Sequence, residues 1–162
     1  MSATTFSSQA LPINDEGFQQ FIAHCNEPNW LLAARREAWQ RYLAMPWPSR
    51  SEEQWMRSDL RGFRMARYNL PSANVQSTLQ QSGIAQWLAE GVTPAGVIHC
   101  LDGQTIHCEL DSQLERKGVI FGDLGMAANQ HSKVVQTYLN QILEPYCDRF
   151  AALHSAVWSG GQ

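Results

Sequence analysis

Two His-Cys pairs, His99-Cys100 and His107-Cys108, are the side chains whose types and spacing could do chemistry together. Imidazole and thiolate both ligate zinc, and two of each would make a tetrahedral nitrogen and sulfur set. They lie in GVIHCLDGQTIHCEL, residues 96–110, where Asp102-Gly103 sits between two alternating runs. That dipeptide is a signal for a two-residue hairpin loop. With it as the loop, Leu101 faces Gln104, Cys100 faces Thr105, His99 faces Ile106 and Ile98 faces His107. Cross-strand partners share a face and successive residues alternate. His99 and Cys108 then fall on one face, Cys100 and His107 on the other, and the four cannot converge on one ion. The thiols read as buried and structural and the histidines as edge-facing. A small metal-binding protein built on this hairpin is kept as the alternative function.

Other chemistry has less support. No Gly-x-Ser-x-Gly elbow and no GxxxxGK[ST] phosphate loop occurs. Cys25 falls on an apolar helix face and Cys147 just after Pro145, whereas a reactive thiol needs electropositive, accessible surroundings. Gly122-Asp123-Leu124-Gly125 reads as a strand-to-helix connection with Asp123 as the helix cap. His24, His131 and His154 stand alone and read as structural or solvated. No catalytic, cofactor-binding or metal-binding residue is expected, and the chain reads as a non-enzyme.

The elements that would position a site begin with helices. Asn14 or Asp15 caps a first helix whose apolar face is Phe18, Phe21, Ile22 and Cys25. A second starts near Pro28 and carries Leu31, Leu32, Ala38, Trp39, Tyr42 and Leu43 until Pro46 and Pro48 stop it. Residues 49–63 form a short helix or turn, capped by Ser49 or Ser51. Pro71 to Asn74 marks a loop, and Ile84 to Glu90 a helical turn or strand. After the hairpin come a charged turn, a short strand at Gly118 to Phe121, and one helix from about Leu124 to Leu143. Its inner face would be Ala127, Val134, Val135, Tyr138, Leu139 and Ile142. The spacing thus predicts an α+β fold: about three main helices with a small sheet. Residues 1–13 read as a mobile leader, 14–147 as the domain and 148–162 as a poorly packed tail, in which residues 148–158 resume a mixed helical or loop pattern.

Four of the six tryptophans lie between Glu27 and Phe63. Residues 35–67 hold eight arginines against four carboxylates, an excess of four cations in a chain of net charge −3. Trp30, Arg35, Arg36, Trp39, Trp47, Trp55, Arg57 and Arg61 are therefore expected to build core and a protein-contact surface, as large aromatics and forked guanidinium groups do. Bulk charge gives no case for nucleic acid. No apolar run approaches the roughly 20 residues that span a bilayer, and the N-terminus has no secretory pattern. Four scattered cysteines without a CxxC fit reduced thiols and a cytoplasmic location.

An ordered set of motifs resembles a known family. It runs Glu27-Pro28-x-Trp30-Leu31-Leu32, Arg35, Ala38-Trp39, Tyr42, Met45-Pro46-x-Pro48, Arg50, then Glu53-x-Trp55-x-Arg57-x-Asp59-Leu60. Lys117 to Phe121 and the block from Asp148 to Gly161 follow in order. Together they are similar to the N-terminal region of the SufB/SufD family of SUF iron–sulfur cluster assembly proteins, with the Pro-Trp-Pro segment favouring the SufD branch. The resemblance implies a non-catalytic scaffold whose partners are SufB and the ATPase SufC. It also implies that residues 148–162 are the start of a parallel β-helix core that is otherwise absent, so the chain is expected to be an N-terminal piece, with no cofactor held in it. An adaptor unrelated to cluster assembly is the remaining alternative.

Overall fold

The structure, a computed structural model, describes residues 11–70, 91, 94–101, 104–142 and 144–161. The element order is β1 (Leu11–Pro12), α1 (Asp15–His24), α2 (Asn29–Ala44), a 3-10 turn (Met65–Arg67), β2 (Asn69–Leu70), β3 (Gly96–Leu101), β4 (Gln104–Leu110), α3 (Ser112–Arg116), α4 (Leu124–Gln130), α5 (Ser132–Tyr138) and α6 (Arg149–Val157). The fold is α+β, and the chain divides into two units, Met1–Ala73 with Thr137–Trp158 and Asn74–Gln136 with Ser159–Gln162.

The first unit is helical. The Asn14 side chain accepts the Gly17 N–H at 2.8 Å and starts α1, where Asp15 and Glu16 complement the positive helix end. Phe18, Phe21 and Ile22, spaced three and four apart, turn inward. Gly17 is required by packing, because a Cβ there would stand 2.0 Å from the Pro12 carbonyl oxygen. That clearance lets β1 lie directly on α1, where it pairs antiparallel with β2, Leu11 opposite Leu70. Pro28 precedes α2, which buries Leu31, Arg35, Ala38, Trp39 and Tyr42 along one stripe and ends just before Met45-Pro46.

Its main helical partner is α6, started by Asp148 accepting the Ala151 N–H at 2.8 Å. Ala152 and Ala156 are fully buried, so small side chains let the two helices approach closely. Residues 149–157 are therefore a core helix rather than the poorly packed tail the sequence suggests; the Asp148 cap and two alanines at i, i+4 explain why. At the other end, Leu11 and Pro12 are paired strand residues, while residues 1–10 lie outside the described residues.

The second unit is built on the β3–β4 hairpin. Asp111 N–H donates to the Ala95 oxygen at 2.8 Å and closes its open end. Gly96 stands where a Cβ would come within 2.8 Å of the Phe121 ring. The register departs from simple alternation. Leu101 and Cys100 pair with Gln104 and Thr105 as expected, but His99 pairs with His107 and Ile98 with Cys108. A bulge between His99 and Cys100 makes β4 carry one extra residue, Ile106, and moves every later residue of that strand one place along. The expected pairings of His99 with Ile106 and of Ile98 with His107 are thereby corrected.

Three further expectations change. Residues 118–121 form no strand; Asp111 caps the short helix α3 and Gly118, at φ 83°, turns the chain out of it. The single helix expected from Leu124 to Leu143 is two, because the chain leaves helical geometry at His131 (φ −124°, ψ 39°). Ala128 and Val135 are buried, whereas Tyr138 and Ile142 are 73% and 98% exposed, since Asn140 in left-handed backbone ends the helical path before that apolar face is completed. The expected loop at Pro71 to Asn74, the element at Ile84 to Glu90 and the Asp102-Gly103 turn lie outside the described residues.

Candidate contact surface

The tryptophan and arginine segment divides into an inner and an outer layer. The inner layer holds Arg35 and Trp39, each 1% exposed. Arg35 grips Glu27 in a two-pronged ion pair, with Nε to Oε2 and Nη2 to Oε1 both 2.7 Å. Its Nη1 donates to the Ala156 oxygen at 3.2 Å, and its guanidinium lies 4.1 Å from the Trp158 ring centre and 5.5 Å from that of Phe21. One side chain thus joins α1, α2, α6 and the α1–α2 connection. Trp39 stacks on Phe18 at 4.5 Å and 5°, and its indole N–H donates to Asp15 Oδ1 at 2.7 Å. Both residues serve the core; neither offers accessible surface.

The outer layer is an aromatic cluster made where residues 47–68 cover the start of α6. Trp47 meets Phe63 and Phe150 edge-on at 5.9 and 5.6 Å, Trp55 stacks on Phe150 at 5.3 Å, and Phe63 stacks on Tyr68 at 5.3 Å. The Arg149 guanidinium is sandwiched between Tyr42 and Trp47, 4.5 Å from each ring centre, and donates to the Met45 oxygen. The cluster is only partly covered: Trp47 and Tyr68 are 43% and 53% exposed. Trp30 and Trp55 are half-buried, and Arg36, Arg57 and Arg61 are exposed. Trp47 and Trp55 meet on the Phe150 ring, Arg57 and Arg61 lie on the same turn segment without a contact to either, and Trp30 and Arg36 belong to α2. The cluster members missed from sequence are Arg149 and Phe150, because their rings and charges become relevant only once α6 folds back under the turn.

Arg61 forms a forked pair with Asp59, Nη2 to Oδ2 at 2.8 Å and Nε to Oδ1 at 2.9 Å. Those hydrogen bonds lower the Asp59 carboxyl to about 2 from its ordinary 3.8. A lowered carboxylate supports the fold above its ordinary value and loses that support as pH falls toward 2. Arg61→Ala is therefore expected to return Asp59 toward the ordinary value in a side-chain NMR titration. An Asp59 titration that stays near 2 in the variant contradicts the assignment of cause.

The corrected hairpin register puts His99 and His107 on one face and Cys100 and Cys108 on the other, so the four still do not meet. No three metal-ligating side chains converge on a point among the described residues. Partial burial, then the Glu27 charge, raises the Cys25 thiol, and its Sγ–H donates to the Phe21 oxygen at 3.4 Å, the setting of an unreactive half-buried cysteine. In the second unit an open groove of about 620 Å³ is lined by Cys108, Val119, Phe121, Met126 and His131. Its Asp123 is occupied with structure: Oδ1 caps α4 from the Met126 N–H at 3.1 Å, and Oδ2 accepts from Thr105 at 3.3 Å.

The family described as SufBD protein N-terminal region matches residues 16–161. An iron-sulfur cluster assembly SufBD family protein of Staphylococcus aureus (strain USA300) is 30% identical over 149 residues, covering 84% of this chain and 30% of that protein. One of Staphylococcus haemolyticus (strain JCSC1435) is 30% identical over 148 residues, covering 83% of this chain and 30% of its own length. The chain thus spans about three-tenths of the length of these relatives. No solved structure matches it.

Proposed function

The chain belongs to the SufBD family of iron–sulfur cluster assembly proteins, and from that membership we propose that it is a non-catalytic scaffold region of the SUF machinery. The SufD branch, SufB and SufC as partners, and a cytoplasmic location complete the reading. Clusters are cargo handled by the assembled machine, and this region contributes shape and contacts. The observation that carries the reading is the division of the Glu27 to Phe63 segment. Glu27, Arg35, Trp39 and Tyr42 are spent on the interior, while Trp47, Met56, Arg57 and Arg61 leave an aromatic and cationic surface outside. Partly exposed tryptophan and arginine are the side chains that anchor protein interfaces. Among the described residues no helix is long and apolar enough to cross a membrane.

The test is a retention assay. The immobilised chain is offered the purified SufB–SufC pair, with full-length SufD as positive control. Retention that falls at least tenfold in a Trp47→Ser/Arg57→Glu variant of unchanged circular dichroism supports the reading. A folded chain that retains nothing while the control does overturns the partner assignment.

A further inference from the structure

The bulge in β4 creates a pair that straight alternation would have kept apart. His99 and His107 are cross-strand partners, their ring centres 5.1 Å apart and their planes inclined by 38°. On the same face, two residues further along β4, Glu109 Oε1 lies 3.2 Å from His107 Nε2. The His107 and Glu109 side chains are 42% and 72% exposed, so this face is open to solvent.

We propose that His99 and His107 form an open two-imidazole site for a divalent transition-metal ion of the zinc, nickel or copper class. The ordinary metal–imidazole bond is about 2.0–2.1 Å, so two rings bound to one ion need their nitrogens only a few ångströms apart. Opposed residues on an antiparallel pair supply that spacing, with Cβ atoms about 4.5–5.5 Å apart. Imidazole suits this class of ions, and its members bind nitrogen sites more tightly than magnesium or calcium do. Glu109 holds one ring nitrogen of His107, an arrangement that orients a ligating imidazole. Water or an external donor completes the coordination, because no third protein ligand converges there among the described residues. Cys100 and Cys108 are on the opposite face and take no part. The site is independent of the aromatic surface in the first unit, so the scaffold reading stands or falls separately.

Zinc chloride titrated into the full chain at neutral pH, followed by imidazole-ring NMR, tests this. The expected result is one zinc per chain, with the His99 and His107 ring signals moving together and the other histidines still. His99→Asn and His107→Asn should each weaken binding at least tenfold. Glu109→Gln should weaken it about tenfold, the usual loss for an outer-shell carboxylate. Cys100→Ser/Cys108→Ser should bind as the parent does. Both histidines are at least partly exposed, so the variants are expected to keep the parent circular dichroism. Ring signals unmoved at millimolar zinc in the parent chain, binding that survives loss of either histidine, or binding lost with the two thiols would each overturn the proposal.

Discussion

Glu27→Ala is expected to cost about 3–5 kcal/mol of folding stability, the usual penalty for leaving one charge of a buried pair alone. Arg35 is 1% exposed and Glu27 10%. Among the described residues, without the carboxylate the guanidinium keeps one neutral acceptor, the Ala156 oxygen, and two aromatic faces. A cation over a desolvated ring recovers roughly 2 kcal/mol at best, less than desolvation costs. The pair itself need not be stabilising, because an apolar replacement of similar volume often does as well. Glu27→Gln/Arg35→Met should therefore recover much of what Glu27→Ala loses. Urea unfolding checks this through the midpoint, provided the slope stays constant. Equal losses in the single and double variants would show that packing around Arg35, and not its charge, sets the cost.

That pair also shows what was legible from sequence. Glu27, Arg35, Trp39 and Tyr42 stood out as a set, and the helix on which they sit was marked by Pro28 before it and Pro46 after it. Their direction was less clear, since arginine usually reads as surface. The partner that draws Arg35 inward is α6, 121 residues away from it at Ala156. A helix whose buried face consists of alanines has little amphipathic signal, so residues 149–157 read as tail. The hairpin forms as expected, but its pairing beyond Cys100 departs for a more local reason. Period-two reasoning holds only while both strands count equally, and one extra residue at Ile106 exchanges the faces of everything after it. The cap at Asp123 was readable, because an acidic side chain before a helix acts within one turn. The break at His131 was not, as the apolar spacing from Ala127 to Val135 continues through it. Local chemistry was therefore readable at helix starts, and tertiary partners decided the rest.

Trp39→Ala is expected to cost about 3–5 kcal/mol, as truncation of a buried aromatic does when the cavity only partly collapses. Trp39 is 1% exposed and sits between Phe18, stacked at 4.5 Å, and Tyr42 at 5.1 Å. Trp39→Phe separates the two contributions in that loss. It keeps a ring against Phe18 but removes the N–H held by Asp15. Asp15 is an exposed first-turn residue and water can replace the indole, so this change should cost only about 0.5–1.5 kcal/mol for the hydrogen bond, plus the small volume difference. Apolar burial is thus the larger share. Trp47 gives the contrast that bears on function. It is 43% exposed, so Trp47→Ala should cost less than half of what Trp39→Ala does, while weakening partner retention more than any change at Trp39→Phe. Denaturant midpoints measured beside the retention assay decide between the roles. If Trp47→Ala unfolds the chain as readily as Trp39→Ala, the aromatic cluster is an extension of the core and the contact surface must be sought elsewhere.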